Sequence, residues 1–291
     1  MSLAVHHPTS VADAVALART LGEGARFLAG GTDLVVQMSK KRASVEHLID
    51  LGELKELGRI EDEADAFVLG ALATHKAIER HPAFQGALVA LAEAARVVGG
   101  HQIRNRGTVG GNIANASPAA DVVAPLLALD AEVILAGPEG TRVVRLEDFL
   151  LGPGRTARKA DELLTAVRFA KLPAASATSF LKAGRRRAME ISVVCVAARL
   201  SLDARERVCR NVRIALGAVD ARTVRAHAAE RMLEGSAPTA ELFRDAGRIA
   251  AKHCAPISDV RASADYRRRI VAVLVARALA ASLARIEEAR G

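Results

Sequence analysis

The segment Phe27-Leu28-Ala29-Gly30-Gly31-Thr32-Asp33-Leu34 runs an apolar strand into two adjacent glycines and then into a Thr-Asp pair that can cap a helix. Glycine tolerates positive φ and lets the backbone approach a ligand closely, so successive N–H groups in such a turn can converge on a phosphate. Alone, this segment reads more readily as a plain strand-to-helix connection, since such turns are common. A second turn, Arg104-Asn105-Arg106-Gly107-Thr108-Val109-Gly110-Gly111-Asn112-Ile113-Ala114-Asn115-Ala116-Ser117-Pro118, again surrounds glycines with small hydrogen-bonding residues. Two such turns suit a pyrophosphate with its ribose. Neither is a GxGxxG fingerprint and no GxxxxGK(S/T) run occurs, so a Rossmann site and a P-loop both lack their minimum equipment.

The 291 residues, 51% hydrophobic, suffice for more than one domain. No apolar run has the length of a membrane span, and His6, His7 and Pro8 do not fit a signal peptide, so a cytoplasmic protein is expected. Cys195, Cys209 and Cys254 are too scattered for a disulfide framework or an iron–sulfur site, and are expected to be buried, reduced thiols. His75, His81, His101, His227 and His253 show no metal-ligand spacing, and Ser192, Ser201 and Ser258 have no nucleophile context. Neither a metal site nor a catalytic residue is expected in this chain. The net charge of +8 raises nucleic-acid binding. The runs Lys40-Lys41-Arg42, Arg185-Arg186-Arg187 and Arg267-Arg268-Arg269 lie far apart, however, and one Tyr and no Trp leave little for base stacking.

Apolar runs at Arg26–Ala29, Val45–Leu51, Phe67–Gly70 and Ala131–Ala136 read as strands, and helical spacing marks Asp13–Leu21, Leu34–Met38, Pro82–Val98 and Val122–Leu129. A linker around Lys171–Ser176 follows the apolar run Leu163–Phe169. Beyond it, Thr178–Ala183, Ile191–Leu202 and Arg207–Val219 are expected to form an antiparallel sheet, with Asp203 and Ala204 turning the second strand into the third. Helices at Val224–Leu233, Ala240–His253 and Asp265–Glu288 close the chain. The fold class is α+β, with an N-terminal domain over residues 1–172 (subdomains about 1–55 and 56–172) and a C-terminal domain over 173–291.

The motifs AGGTDL (29–34) and RNRGTVGGNIANASPAAD (104–121), with the following PLLALDAEV, resemble the FAD-binding medium subunits of molybdenum hydroxylases. That family includes the carbon monoxide dehydrogenase and xanthine dehydrogenase flavoproteins. The run Ser179–Arg186, followed by Ile191–Leu200, is similar to the same family's C-terminal domain, so the resemblance covers nearly the whole chain. It implies a two-subdomain vanillyl-alcohol-oxidase-like FAD-binding fold with a smaller C-terminal domain. It also implies an electron-transfer role, in which electrons pass from a molybdenum cofactor in a large subunit, through two 2Fe–2S clusters in a small subunit, to FAD and an external acceptor. Such complexes commonly pair two heterotrimers.

By the same resemblance Ala29, Gly30, Gly31, Thr32, Asp33 and Leu34 wrap the pyrophosphate and ribitol, and Thr108, Val109, Gly110, Gly111 and Asn112 complete the diphosphate site. Asp121 is placed toward the adenosine ribose, although capping the next helix would also explain it. Leu163 or Leu164 supplies an apolar or main-chain contact near the flavin, and Lys182 a cation beside the isoalloxazine ring, where the ordinary alternative is a solvated lysine. No aromatic residue lies between Ala87 and Ile113, where some members stack the adenine. Two rivals differ in class: a self-contained FAD-dependent oxidoreductase of the same cofactor-binding superfamily, active as the isolated chain, and a non-enzymatic module binding an anionic polymer.

Overall fold

The computed structural model describes residues 3–186, 189–203, 205 and 207–289. Arg187 of the second basic run and Ala204 of the expected turn lie outside the described residues. The chain opens with β1 (Ala4–His6), α1 (Val11–Leu21), β2 (Ala25–Leu28), α2 (Leu34–Ser39) and β3 (His47–Asp50). Ser10 caps α1 by accepting from the Asp13 amide, and Gly22, at φ 62°, ends it. The three strands form a parallel sheet in the order β1-β3-β2. Ala14, Val15 and Ala18 of α1 pack with Ile49, Leu51 and Leu163 into a small core of its own.

Next come β4 (Ile60–Asp62), β5 (Ala66–Gly70), α3 (His75–Arg80), α4 (Val89–Arg96), α5 (His101–Arg106), α6 (Val109–Ala114) and α7 (Val123–Ala128). They are followed by β6 (Glu132–Gly137), β7 (Gly140–Arg145), α8 (Leu146–Phe149), the short pair β8 (Leu150–Gly152) and β9 (Arg155–Thr156), and β10 (Leu163–Ala170). A five-stranded antiparallel sheet runs β4-β5-β10-β6-β7. Its centre, β10, is the apolar run at Leu163. Phe67, Phe84 and Phe169 cluster beneath the sheet, with Phe67 meeting Phe84 edge-on at 5.5 Å.

The last part holds β11 (Ser176–Ala183), β12 (Val194–Leu202), β13 (Cys209–Gly217), β14 (Val224–Arg225), α9 (His227–Leu233), α10 (Ala240–Lys252) and α11 (Ala264–Glu288). The expected antiparallel pairing is present, β11 to β12 and β12 to β13, with β14 added at the edge. Every residue of β12 is buried because both faces are covered. Phe180, Cys195, Ala197 and Ala215 join the large N-terminal core, while Val196, Ala198 and Ile214 pack with Leu274, Val275 and Leu279 of α11. All three cysteines are buried and unbridged.

Three local expectations fail for reasons visible in the packing. Pro82–Val98 is not one helix: a 3-10 turn, Pro82–Phe84, precedes α4. The Ala87 carbonyl between them accepts from the Thr178 amide (2.8 Å) and hydroxyl (2.7 Å), and that hydroxyl accepts from the Ala90 amide (3.2 Å). A strand residue far along the chain thus takes the bonds a continuous helix would have used. Val224 and Arg225 pair with β13 before α9 begins, so the helix expected from Val224 starts at His227. Asp121 does not cap α7, whose cap residue is Val122 with no side-chain bond. Among the described residues no helix is long and apolar enough to cross a membrane.

Candidate cofactor site

The two glycine turns meet. A Cβ at Gly30 would lie 2.0 Å from the Arg106 carbonyl oxygen, so only glycine lets the first turn touch the backbone that leads into the second. Gly31 follows at φ 72°, and Val35 and Gln37 return their amides to Gly31 and Asp33 to start α2. No side chain caps that helix. The second turn is sewn into the body of the protein: the Val109 amide donates to Ala73 O, Gly110 to Ala71 O, and His75 to Gly107 O, at 2.9 to 3.0 Å. The Thr108 hydroxyl caps α6 by accepting from the Gly111 amide at 3.1 Å. Across the gap, the Gln37 amide nitrogen donates to Asn115 Oδ1 at 3.5 Å.

Between the turns lies a cavity of about 430 Å³, within the range of small-molecule and cofactor sites. Every residue from Ala29 to Leu34 lines it, as do Thr108, Gly110, Gly111, Asn112, Leu163 and Leu164. Val109 does not: it is fully buried and its amide is already committed to Ala73. Sequence reasoning missed His75, Arg26, Phe27 and Arg158, which also line the cavity. The Arg158 guanidinium sits 5.8 Å from the Phe27 ring centroid, so a cation and an aromatic face share one wall. No local pattern in the chain marks either residue, because β9 and the following loop bring Arg158 to Phe27 only in the fold.

Burial raises the Asp33 carboxyl above its ordinary value. It lowers the Arg158 guanidinium, with the neighbouring Arg26 charge adding to the effect. Burial and then the Arg104 charge bring the His75 imidazole down to about 4.

Asp121 and Lys182 stand apart from this cavity, and they stand together. Lys182 Nζ donates to Asp121 Oδ2 at 2.7 Å, to Glu190 O at 2.8 Å and to Val97 O at 3.4 Å, while the Ser192 hydroxyl donates to Asp121 Oδ1 at 2.5 Å. Burial raises the Asp121 pKa against the lowering effect of Lys182 and Ser192. The roles expected of the two residues, one at the adenosine ribose and one at the flavin ring, belong to opposite ends of an extended dinucleotide. A directly bonded pair occupies one place, so any contact the two make with a cofactor is made together. The pair is tied to the cavity wall through Val97, whose neighbour Val98 lines it.

FAD fits the residues present. The glycine approach leaves no space for side chains where the turns meet, the lining offers hydroxyl, amide and main-chain groups, and Asn112 Oδ1 is buried in the wall without a partner. Residues 1–172 match the family model described as the FAD binding domain in molybdopterin dehydrogenase, and residues 179–282 match that of the CO dehydrogenase flavoprotein C-terminal domain. The chain belongs to the flavoprotein family of the molybdenum hydroxylases. Within that family it is 34% identical over 280 residues to the carbon monoxide dehydrogenase medium chain of Hydrogenophaga pseudoflava, covering 96% of each chain. It is also 34% identical to the nicotine 6-hydroxylase medium subunit of Paenarthrobacter nicotinovorans, again over 96% of each. A solved structure of the Hydrogenophaga pseudoflava carbon monoxide dehydrogenase superposes with a TM-score of 0.93 at 35% identity, covering 98% of both chains.

Proposed function

We propose that this chain is the FAD-carrying, electron-transferring subunit of a molybdenum hydroxylase, working beside a large molybdenum-cofactor subunit and a small subunit with two 2Fe–2S clusters. It takes electrons from the small subunit and delivers them to an external acceptor. The observation that carries this reading is the meeting of the two glycine turns around one cavity, in a chain matched to the flavoprotein family along both of its parts. FAD supplies the redox chemistry when bound, since flavins exchange electrons singly or as a hydride pair.

The chain's own residues bind and orient. Main-chain groups from Ala29 to Leu34 hold the pyrophosphate and ribitol, while Thr108, Gly110 and Gly111 line the opposite wall, the Gly110 and Gly111 amides being bonded already to Ala71 O and Thr108 Oγ1, and Asn112 gives its unpartnered amide oxygen to a hydroxyl. Val109 serves as the buried anchor of the second turn. Leu163 and Leu164 supply an apolar wall. Lys182, bonded to Asp121 and to Val97 O next to the wall residue Val98, is assigned the role of the cation that favours reduced flavin, and Asp121 that of holding it in place.

The division into residues 1–172, with subdomains about 1–55 and 56–172, and 173–291 belongs to the same proposal, as do a dimer of heterotrimers and a cytoplasmic site of action. The test is to purify the chain with its neighbouring subunits co-expressed, record the visible spectrum, and assay released flavin and metals in each separated subunit. FAD on this chain, with molybdenum and iron in its partners, is the expected result. A colourless chain without partners refutes the proposal, and substrate turnover by the isolated chain would replace it with a self-contained flavoenzyme.

A further inference from the structure

The cavity wall contains one ring that no other described residue satisfies. His75 opens α3 directly after Thr74, whose hydroxyl caps the helix by accepting from the Ala77 amide at 3.1 Å. Its own amide is tied to Gly107 O at 3.0 Å, which fixes the residue against the start of the second glycine turn. The side chain is only 2% exposed, yet it lines the cavity. Nδ1 is enclosed without a hydrogen-bond partner, and among the described residues Nε2 has no partner either, although it is not enclosed in the same way.

Nδ1 is sealed from any ligand and has no partner, so the ring's single proton is better carried at Nε2, the unsealed nitrogen of a ring that lines the cavity, where a ligand can accept it. Arg104, whose charge acts on the ring, is already engaged. Its Nε donates to Glu79, its Nη1 to the Val98 and Gly99 carbonyls, and its Nη2 meets His101 Nδ1. Burial and that guanidinium keep the imidazole neutral, with one N–H and one bare lone pair. The sequence also makes room for the ring. Gly107 has an ordinary φ of −63°, but a Cβ there would approach His75 Cδ2 to 3.1 Å and Nε2 to 3.5 Å. A Cβ there would also meet the Ile103 carbonyl oxygen at 2.9 Å, so Gly107 is small to fit that backbone and this ring, not to permit a left-handed conformation.

We infer that His75 is a further FAD-binding residue, whose neutral imidazole turns its lone pair at Nδ1 inward and donates from Nε2–H to an oxygen of the bound cofactor's phosphate or ribityl chain. The inference rests on the FAD-carrying reading above. It adds a donor from α3 to a site otherwise built from the two glycine turns, and it couples the position of α3 to cofactor occupancy.

The experiment strips flavin from the full chain and titrates FAD back, following the quenching of flavin fluorescence, in the unaltered protein, in His75→Leu and in His75→Gln. Removing the donor weakens FAD binding by about tenfold, and glutamine, which can carry an N–H to a similar reach, restores it to within about threefold. Equal affinity in the leucine variant overturns the inference. So does an equal loss in both variants, which would mark His75 as a packing residue. In case the leucine variant does not fold, nitrogen-15 spectra of histidine-labelled unaltered protein give a second readout. FAD is expected to shift the Nε2 resonance of a neutral ring, and an unmoved resonance overturns the proposal. Failure of the unaltered chain to take up FAD at all would instead refute the FAD-carrying reading itself.

Discussion

The two glycine turns reach the same cavity by different means. The second lies within the core: α6 buries Val109, Gly110 and Ile113, Thr108 caps it, and three backbone hydrogen bonds tie residues 107–110 to the loop after β5 and the first residue of α3. The first is appended to a small parallel sheet, and its helix α2 has no buried residue and no side-chain cap. Its hold on the site is the close backbone approach of Gly30 to Arg106 and the Gln37 hydrogen bond to Asn115 at 3.5 Å. One turn is therefore a rigid floor and the other a flap seated on it. Stability and cofactor affinity should separate between them, with damage to the floor affecting both and damage to the flap affecting mainly affinity.

The hardest test is Gly110→Ala, since a Cβ there would lie 2.6 Å from Ala71 Cβ and 2.7 Å from Ala71 O in the packed interior. A loss of roughly 3 kcal/mol in urea unfolding is expected, together with loss of flavin. A comparable effect comes from pH through His75. Its folded pKa of about 4 lies below the ordinary 6.5, so the unfolded chain gains a proton first as pH falls. The His75 contribution is then constant above about pH 6.5, falls between 6.5 and 4 by on the order of 3 kcal/mol, and changes no further below that. Comparing unfolding at pH 7 and pH 4.5, His75→Leu should lose less on acidification than the unaltered protein. Equal losses would show that the ring is not held neutral.

Gly30→Ala comes next. The clash with Arg106 O forces the flap away, so flavin should be lost while unfolding of the flavin-free chain changes by about 1–2 kcal/mol, less than for Gly110→Ala. A larger loss of stability than in the second turn would break the comparison. The smallest effects are expected at the helix starts. Thr108→Ala removes a real cap and costs about 1 kcal/mol, whereas Asp33→Ala removes none and stays within about 0.5 kcal/mol, both read from thermal unfolding of the flavin-free chain.

Legibility in the sequence follows the range of the interaction that decides each feature. The strand, turn and helix around Ala29–Leu34 can be read because glycine freedom and apolar periodicity act between neighbours, and the expected β2 and α2 are present. The antiparallel run of β11, β12 and β13 is readable for the same reason, since short connections leave neighbouring strands little other choice. The break before α4 is not readable, because Thr178 makes it from another sheet. Nor is the pairing of Asp121 with Lys182, which needed β11 laid against the loop before α7. Arg158, Phe27 and His75 carry no local mark of their place in the cavity wall.

By itself the sequence determined two phosphate-sized glycine turns, a chain without the fingerprint of the commonest nucleotide folds, and enough motif to indicate a flavoprotein family. Those are properties of adjacent residues, set by backbone freedom, hydrogen-bonding side chains and spacing. Only the tertiary structure decided that the turns touch, that Val109 anchors while its neighbours line the cavity, and that an orphaned histidine faces the same space. These depend on sheet order and on which buried groups find partners, and residues distant in the chain settle both together.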